Sequence, residues 1–287
     1  MELPTRCSLQ SYLTCGEKKM SYAGLRIDID CVRDAEMLPV LLDMLNGHGI
    51  KATFFVSTGP DNIARNIKNC LNPLNLIRKK AFKRYGLTIV NGLIFKRQVQ
   101  DSKNIGLVLD AGHELGLHGY DHYNWMKDLD SKSREEISAL ISRGCELFEQ
   151  AFGFYPKSFA SPGFKMNSSF LSVLDDFGFS YSSDFVGGQA FYPKIEIEGK
   201  VCRTLQIPVS MRSIGEHEES GLSDNQILKV VMDRLSRSSP FVFYCHPSYE
   251  PVFKPALLER VLKCMEETAK IVTLGKIASR LKDKIKR

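Results

Sequence analysis

The sequence predicts an α/β fold built on a mainly parallel sheet. Three observations carry this. Short apolar runs bounded by turn residues alternate with stretches of helical spacing, the pattern of strands joined by crossover helices. Two of the runs, KATFFVS at 51–57 and FVFYC at 241–245, are apolar enough to be buried strands. The 287 residues are 43% hydrophobic and 25% charged, ample material for a core, and an α/β barrel uses such a length as one domain.

Taken in order, Gly24–Asp30 reads as a strand. Asp34–His48 has helical spacing, with Leu38, Leu41, Leu42 and Leu45 on one face. Lys51–Ser57 is the second strand. Ser133–Phe152 is a helix, because Ser133 and Glu136 form a capping-box pair at its start. Lys157–Ala160 is a short strand, and Ser168–Gly178 a helix stopped by glycine. Phe179–Ser182 and Leu205–Val209 are strand candidates. Ser223 is a natural N-cap for a helix to Ser236. Phe241–Cys245 is a strand, Pro255–Ala269 a helix, and Ile271–Leu274 with a basic tail completes the chain. No internal repeat or low-complexity linker interrupts the pattern.

Eight cysteines stand at 7, 15, 31, 70, 145, 202, 245 and 264, with no CxxC pair and mostly apolar neighbours. Buried reduced thiols are the expectation, which points to the cytoplasm. Residues 1–20 read as an N-terminal extension without the basic start and apolar centre of a signal peptide, and domain reasoning begins at 21. No run reaches the roughly 18 apolar residues of a membrane span.

Charge is distributed unevenly. Residues 65–97 hold nine basic side chains, among them Lys79, Lys80, Lys83 and Arg84, and no acid. The chain is +6 overall, so everything outside this run is net acidic. Aliphatic residues interleave with the bases, a composition suited to an anionic membrane surface, where each Lys or Arg contributes about 1 kcal/mol. A solvated helix over the core is the plainer alternative. Nucleic acid is not expected, because aromatic platforms are few and no recognition motif is present. The run reads as an insertion at about 62–105.

The residues that carry chemistry follow a fixed order. Asp28 and Asp30 close the first strand, and alternate strand positions share a face, so both carboxylates address one pocket. Side by side they repel unless a cation or a proton intervenes. His118 and His122 have the His-x3-His spacing that turns two imidazoles to one side. Three of six histidines fall within 113–122, which makes a ligand pair more attractive than scattered surface histidines. With one aspartate the set becomes two histidines and a carboxylate, which leaves open positions for water, as a catalytic metal requires. Zinc suits it best; cobalt, nickel and manganese also suit it. Glu114 is a rival base, but HExxH would need histidine at 117, which is leucine. His246 follows a buried strand at the end where α/β barrels place their chemistry, and fits a general acid. Asp184, in YSSDFVGG, is a candidate to orient His246, or else a turn residue.

Asp-x-Asp, GHELGLHGYDH, SPG, Ser-Asp and a strand ending in histidine together resemble the polysaccharide deacetylase (NodB-like, carbohydrate esterase 4-type) family. The resemblance implies a single-domain, distorted (β/α)7-type barrel and a divalent metal held by one aspartate and two histidines. Carried over, Asp30, His118 and His122 are the ligands, Asp28 the general base and His246 the general acid. The reverse division of the two aspartates is the second reading. GLRIDIDC, STGPDN, the basic insertion, YSSDFVGG and LQIPVS are similar to the branch that deformylates 4-deoxy-4-formamido-L-arabinose on undecaprenyl phosphate in lipid A modification, and to related lipid-linked hexosamine deacetylases. That branch implies removal of an N-formyl or N-acetyl group from an undecaprenyl-phosphate-linked amino sugar, by a cytoplasmic enzyme peripheral to the inner membrane. A soluble oligosaccharide or peptidoglycan N-deacetylase is the alternative. Many members have Arg-x-Pro where this chain has Ser161-Pro162-Gly163, so the arginine expected to hold the base is missing there, and Lys165 is the nearby cation to replace it.

Overall fold

The computed structural model describes residues 21–62, 97–193, 202–282 and 284–285. The N-terminal extension and all of the basic insertion between 63 and 96 lie outside the described residues. Strand β1 (Tyr22–Ile29) sits centrally, flanked by β2 (Thr53–Val56) and β7 (Phe241–Cys245). Beyond β2 follow β3 (Glu114–Leu117), β4 (Ser158–Phe159), β5 (Tyr181–Ser182) and β6 (Leu205–Gln206), every pair parallel. A two-residue strand, β8 (Lys270–Ile271), pairs with the start of β1. After β6 the chain meets β7 through Ser210, whose N–H donates to Val242 O while its Oγ accepts from Val242 N. The sheet thus curls into the distorted barrel anticipated above, with helices outside.

Parallel strands need crossovers. Here they are α1 (Val32–Glu36), α2 (Leu38–Gly47), α3 (Asn104–Asp110), α4 (His122–Asp128), α5 (Arg134–Phe152), α6 (Ser168–Leu174), α7 (Ile214–Glu219), α8 (Asp224–Arg237), α9 (Glu250–Phe253) and α10 (Pro255–Thr268), and α11 (Leu274–Leu281) follows the last strand. The longest, α5, begins with the expected reciprocal Ser133–Glu136 cap and ends at Gly153, whose left-handed backbone (φ 78°) lets its N–H reach Glu149 O. Its buried stripe, Ile137, Ile141, Cys145 and Phe148, recurs every three or four residues.

Alternation along the strands makes two cores. Leu25, Ile27, Ile29, Phe54, Val56, Phe241 and Phe243 face the helices. Phe55, Tyr181, Leu205, Val242 and Tyr244 face the barrel interior, closed from below by Leu274, Ile277 and Ala278 of α11. Each such side chain contributes about 1.5–3 kcal/mol by leaving water. The same period turns Arg26 and Asp28 inward, opposite Leu25 and Ile27.

Several elements differ from expectation. The helix expected over 34–48 is two helices, broken at Met37 because Pro39 starts a new one. The helix begun at Ser168 stops at Leu174, before the expected glycine. The tail after Ile271 is the amphipathic helix α11, capped by Thr273. Among the described residues no helix is long and apolar enough to cross a membrane.

Candidate metal centre

The five clustered side chains stand at the carboxyl ends of adjacent strands. Ile29 of β1 pairs with Val56 of β2, which pairs with Leu117 of β3, so Asp30 and His118 each emerge one residue beyond the paired row. Cys245 of β7 pairs with Ile27, and His246 follows it. Gly119 turns the chain with φ 74°, a conformation that glycine adopts freely. Asp121 then N-caps α4, accepting from Asn124 N at 3.1 Å, which fixes His122 as the first helical residue. Asn62 and Asn124 amides hold the other Asp121 oxygen at 2.7 Å. Asp34 joins the β1 and β7 loops, accepting from the N–H groups of Asp30 and Ser248 at 3.1 Å each.

Asp30 is the hub. Its Oδ1 lies 3.2 Å from Nε2 of His118 and 3.4 Å from Nε2 of His122, and its Oδ2 lies 3.5 Å from Nε2 of His246. His118 is buried, and its Nδ1 is 2.8 Å from Ala160 O. A carbonyl only accepts, so Nδ1 carries a proton and Nε2 is left to face the Asp30 carboxylate. That buried Nε2 has no hydrogen-bond partner and faces a carboxylate oxygen. Burial lowers the His118 pKa, but Asp28 and Asp30 outweigh burial and raise it, so either a proton on Nε2 or a metal ion bridges the two groups. Asp30, His118 and His122 each offer a donor atom within 4.8 Å of the others, so these residues fit a divalent ion.

Electrostatics separates the two aspartates. Burial raises the Asp30 carboxyl, but the imidazoles of His122, His246 and His118 outweigh burial and hold it well below the usual range. Burial also raises Asp28, and there Arg26 and then His118 outweigh it. Arg26 forks onto Asp28, Nε to Oδ1 and Nη2 to Oδ2, both at 2.7 Å. The cation that holds Asp28 is thus Arg26 of β1, on the same strand and face. Lys165 does not replace it; its Nζ pairs with Asp130 at 2.7 Å. The SPG turn contributes differently: Phe164 adopts a left-handed backbone (φ 57°), and its ring centre lies 4.6 Å from the guanidinium carbon.

Asp184 is not brought to His246. Its fully buried carboxylate accepts from Ser161 N at 2.7 Å, Ser182 Oγ and Gln206 Nε2. Burial raises its pKa, and those hydrogen bonds offset only part of the rise. The carboxylate beside His246 is Glu250, fully buried, whose Oε2 accepts the His246 N–H and whose Oε1 accepts Gly215 N. The His-x3-Glu spacing in HPSYE is the signal that would have found it. His113 and Glu114 lie at the other end of β3. His113 Nδ1 accepts from Ala52 N, and burial with Lys51 nearby lowers its pKa to about 4. Glu114 bonds Thr53, Tyr181 and the Gly275 N–H, which removes it as a rival base.

The family model described as polysaccharide deacetylase matches residues 22–182. The probable 4-deoxy-4-formamido-L-arabinose-phosphoundecaprenol deformylase ArnD of Shewanella sediminis is 31% identical over 70% of this chain and 66% of its own length. The protein of the same name from Wigglesworthia glossinidia brevipalpis is 35% identical over 62% of this chain and 64% of its own. The chain thus spans just under two thirds of these relatives. A Mycobacterium smegmatis structure described as a polysaccharide deacetylase superposes with a TM-score of 0.62 at 15% identity, covering 94% of this chain and 93% of that one.

Proposed function

This chain belongs to the polysaccharide deacetylase family, and from that membership we propose that it hydrolyses the N-acyl amide of an amino sugar carried on undecaprenyl phosphate, in lipid A modification. One observation supports metal dependence above all: Asp30, His118 and His122 gather ligand atoms within 4.8 Å of one another, with the buried His118 Nε2 facing Asp30. Asp30, His118 and His122 would hold the ion, zinc in the first instance. Bound there, a divalent cation acidifies water and polarises the amide carbonyl.

The protein's own groups carry the protons. Asp28, held as a carboxylate by Arg26, accepts the proton of the attacking water as the new C–O bond forms. His246 delivers a proton to the sugar nitrogen as the C–N bond breaks. Formate or acetate and a free amine result. Glu250 orients His246 through the backbone and faces its ring. The two relatives' name favours formyl, and the lipid-linked substrate in it favours a site of action at the cytoplasmic face of the inner membrane. The basic run at 65–97 provides the matching charge for that surface.

Mass spectrometry of the purified protein with synthetic formyl- and acetyl-amino sugars, with and without a polyprenyl phosphate, tests this. Deformylation of the lipid-linked sugar that stops with a chelator or His118→Ala is the expected result. Turnover that survives both overturns the metal mechanism. Equal turnover of lipid-free sugars overturns the lipid-linked substrate.

A further inference from the structure

All strands of the sheet start at the end opposite the metal centre, and a cavity of about 420 Å³ opens there. Glu114, on its wall, opens β3, and His118 stands four residues on, so about 13 Å of strand separates the cavity from the clustered histidines. Four lysines line it: Lys51 just before β2, Lys157 just before β4, Lys276 in α11 and Lys282 just after it. The chain outside the 65–97 run is net acidic, so this convergence of bases goes against the surrounding balance. Among the described residues, ion pairs take up Lys127, Lys165 and Lys254 but none of these four.

The one acid on the wall does not answer them. The Glu114 carboxylate accepts from Thr53 Oγ1, Tyr181 Oη and the Gly275 N–H at 2.7, 3.0 and 2.9 Å. It is a strut that ties β2, β3, β5 and α11 together, and its lone pairs are engaged. Four ammonium groups against one carboxylate leave an excess of three positive charges. His113 adds a donor to the same wall. It is nine-tenths buried, and its Nδ1 accepts from Ala52 N at 3.0 Å, so the proton of the neutral ring sits on Nε2. That Nε2 has no hydrogen-bond partner. Folded proteins leave few buried donors without an acceptor, because each is costly.

Lysine binds phosphate as a point charge, and a phosphate ester carries a charge of about −2. A phosphate or diphosphate group thus matches the excess, and a few hundred cubic ångströms is an ordinary size for a small-ligand site. We propose that this cavity is a second ligand site, which takes a phosphate-bearing anion between Lys51, Lys157, Lys276 and Lys282. A soluble source suits it best. The cavity and the barrel mouth open at opposite ends of the strands, so an enzyme whose mouth meets a membrane turns the cavity toward water. The bound anion bridges α11 to the starts of β2 and β4. The inference uses none of the metal-centre residues and stands apart from that reading.

Calorimetry of the full-length protein with inorganic pyrophosphate tests this, beside lysine acetylation read residue by residue in a mass spectrometer. Pyrophosphate is expected to bind and to protect Lys157 and Lys276 from acetylation. Both side chains are exposed, so their exchange puts the fold at little risk. Lys157→Gln combined with Lys276→Gln should weaken binding at least about tenfold. Neutralising Lys79, Lys80, Lys83 and Arg84 should leave the affinity within about threefold of wild type. Cosedimentation with phosphatidylcholine vesicles, with and without phosphatidylglycerol, identifies the source. Vesicle binding untouched by the double exchange assigns the site to a soluble phosphate, and vesicle binding lost with it assigns the site to a lipid headgroup. A wild-type chain that binds no pyrophosphate overturns the inference. So does a double variant that binds it as the wild type does, or protection confined to the lysines of the 65–97 run.

Discussion

Glu250 grips His246 by its backbone: Oε2 accepts the His246 N–H at 2.8 Å and lies 3.9 Å from Nδ1 of the same residue's ring. His246 is thereby set by a carboxylate four residues on, at the start of α9, and not by a distant strand.

Glu250→Gln keeps the shape and removes the charge. General acid catalysis is worth about 10²–10⁴-fold. We expect the variant to lose at least about tenfold in kcat of that contribution, with a changed pH profile and zinc affinity within about threefold of wild type. Steady-state kinetics across pH beside zinc titration reads both. Unchanged kcat would remove Glu250 from the positioning role.

Asp184→Asn should behave differently. The exchange disturbs three buried hydrogen bonds, so a loss of about 1–3 kcal/mol in denaturant-measured stability is expected. The shape of the kcat–pH curve should stay as in the wild type, because Asp184 does not touch His246. A shifted curve would restore the sequence-based assignment.

His48 provides a pH-dependent staple between α2 and α10. Its two ring nitrogens lie 2.9 and 2.8 Å from Glu266 and Glu259, a geometry that wants both nitrogens protonated. Burial lowers its pKa, but these two glutamates outweigh burial and raise it above 6.5. A raised folded value means that the stabilisation is complete below the unfolded pKa and disappears as pH rises through the folded one. The difference in melting temperature between wild type and His48→Gln should therefore be largest in mild acid and shrink toward alkaline pH. A constant difference refutes the staple.

Gly59 is a packing requirement of the site. A Cβ there would lie 1.9 Å from Tyr120 O, in the loop between His118 and His122. Gly59→Ala should cost about 1–3 kcal/mol, as overpacking does, and weaken zinc binding by displacing that loop. Stability at wild-type level would show that the loops separate freely.

Much of the site was legible because its residues carry their own spacing. Asp28 and Asp30 alternate on one strand, His118 and His122 straddle a single turn, and His246 closes an apolar run. Arg26 is equally legible, two positions before Asp28 on the same face of the strand. Asp184, read as a partner of His246 or a turn residue, meets Ser161, Ser182 and Gln206 instead, because a strand end tells which mouth a residue approaches and not which neighbour it meets. In the fold, Ser133 announced α5 through its cap, whereas α3 and α11 passed unnoticed, being only seven and eight residues long. Their stability comes from packing, which periodicity over two turns registers weakly.

The stem of the long insertion is stitched shut beside the reactive groups. Asp61 N–H reaches Arg97 O at 2.9 Å, Pro60 bridges to Gln98, and Asp61 Oδ2 takes the Val32 N–H at 3.0 Å. The excursion between them leaves from, and comes home to, one spot on the rim. A change in the length of residues 63–96 is therefore expected to leave the pairing of Pro60 and Asp61 with Gln98 and Arg97 in place, together with the Asp61 contact to α1.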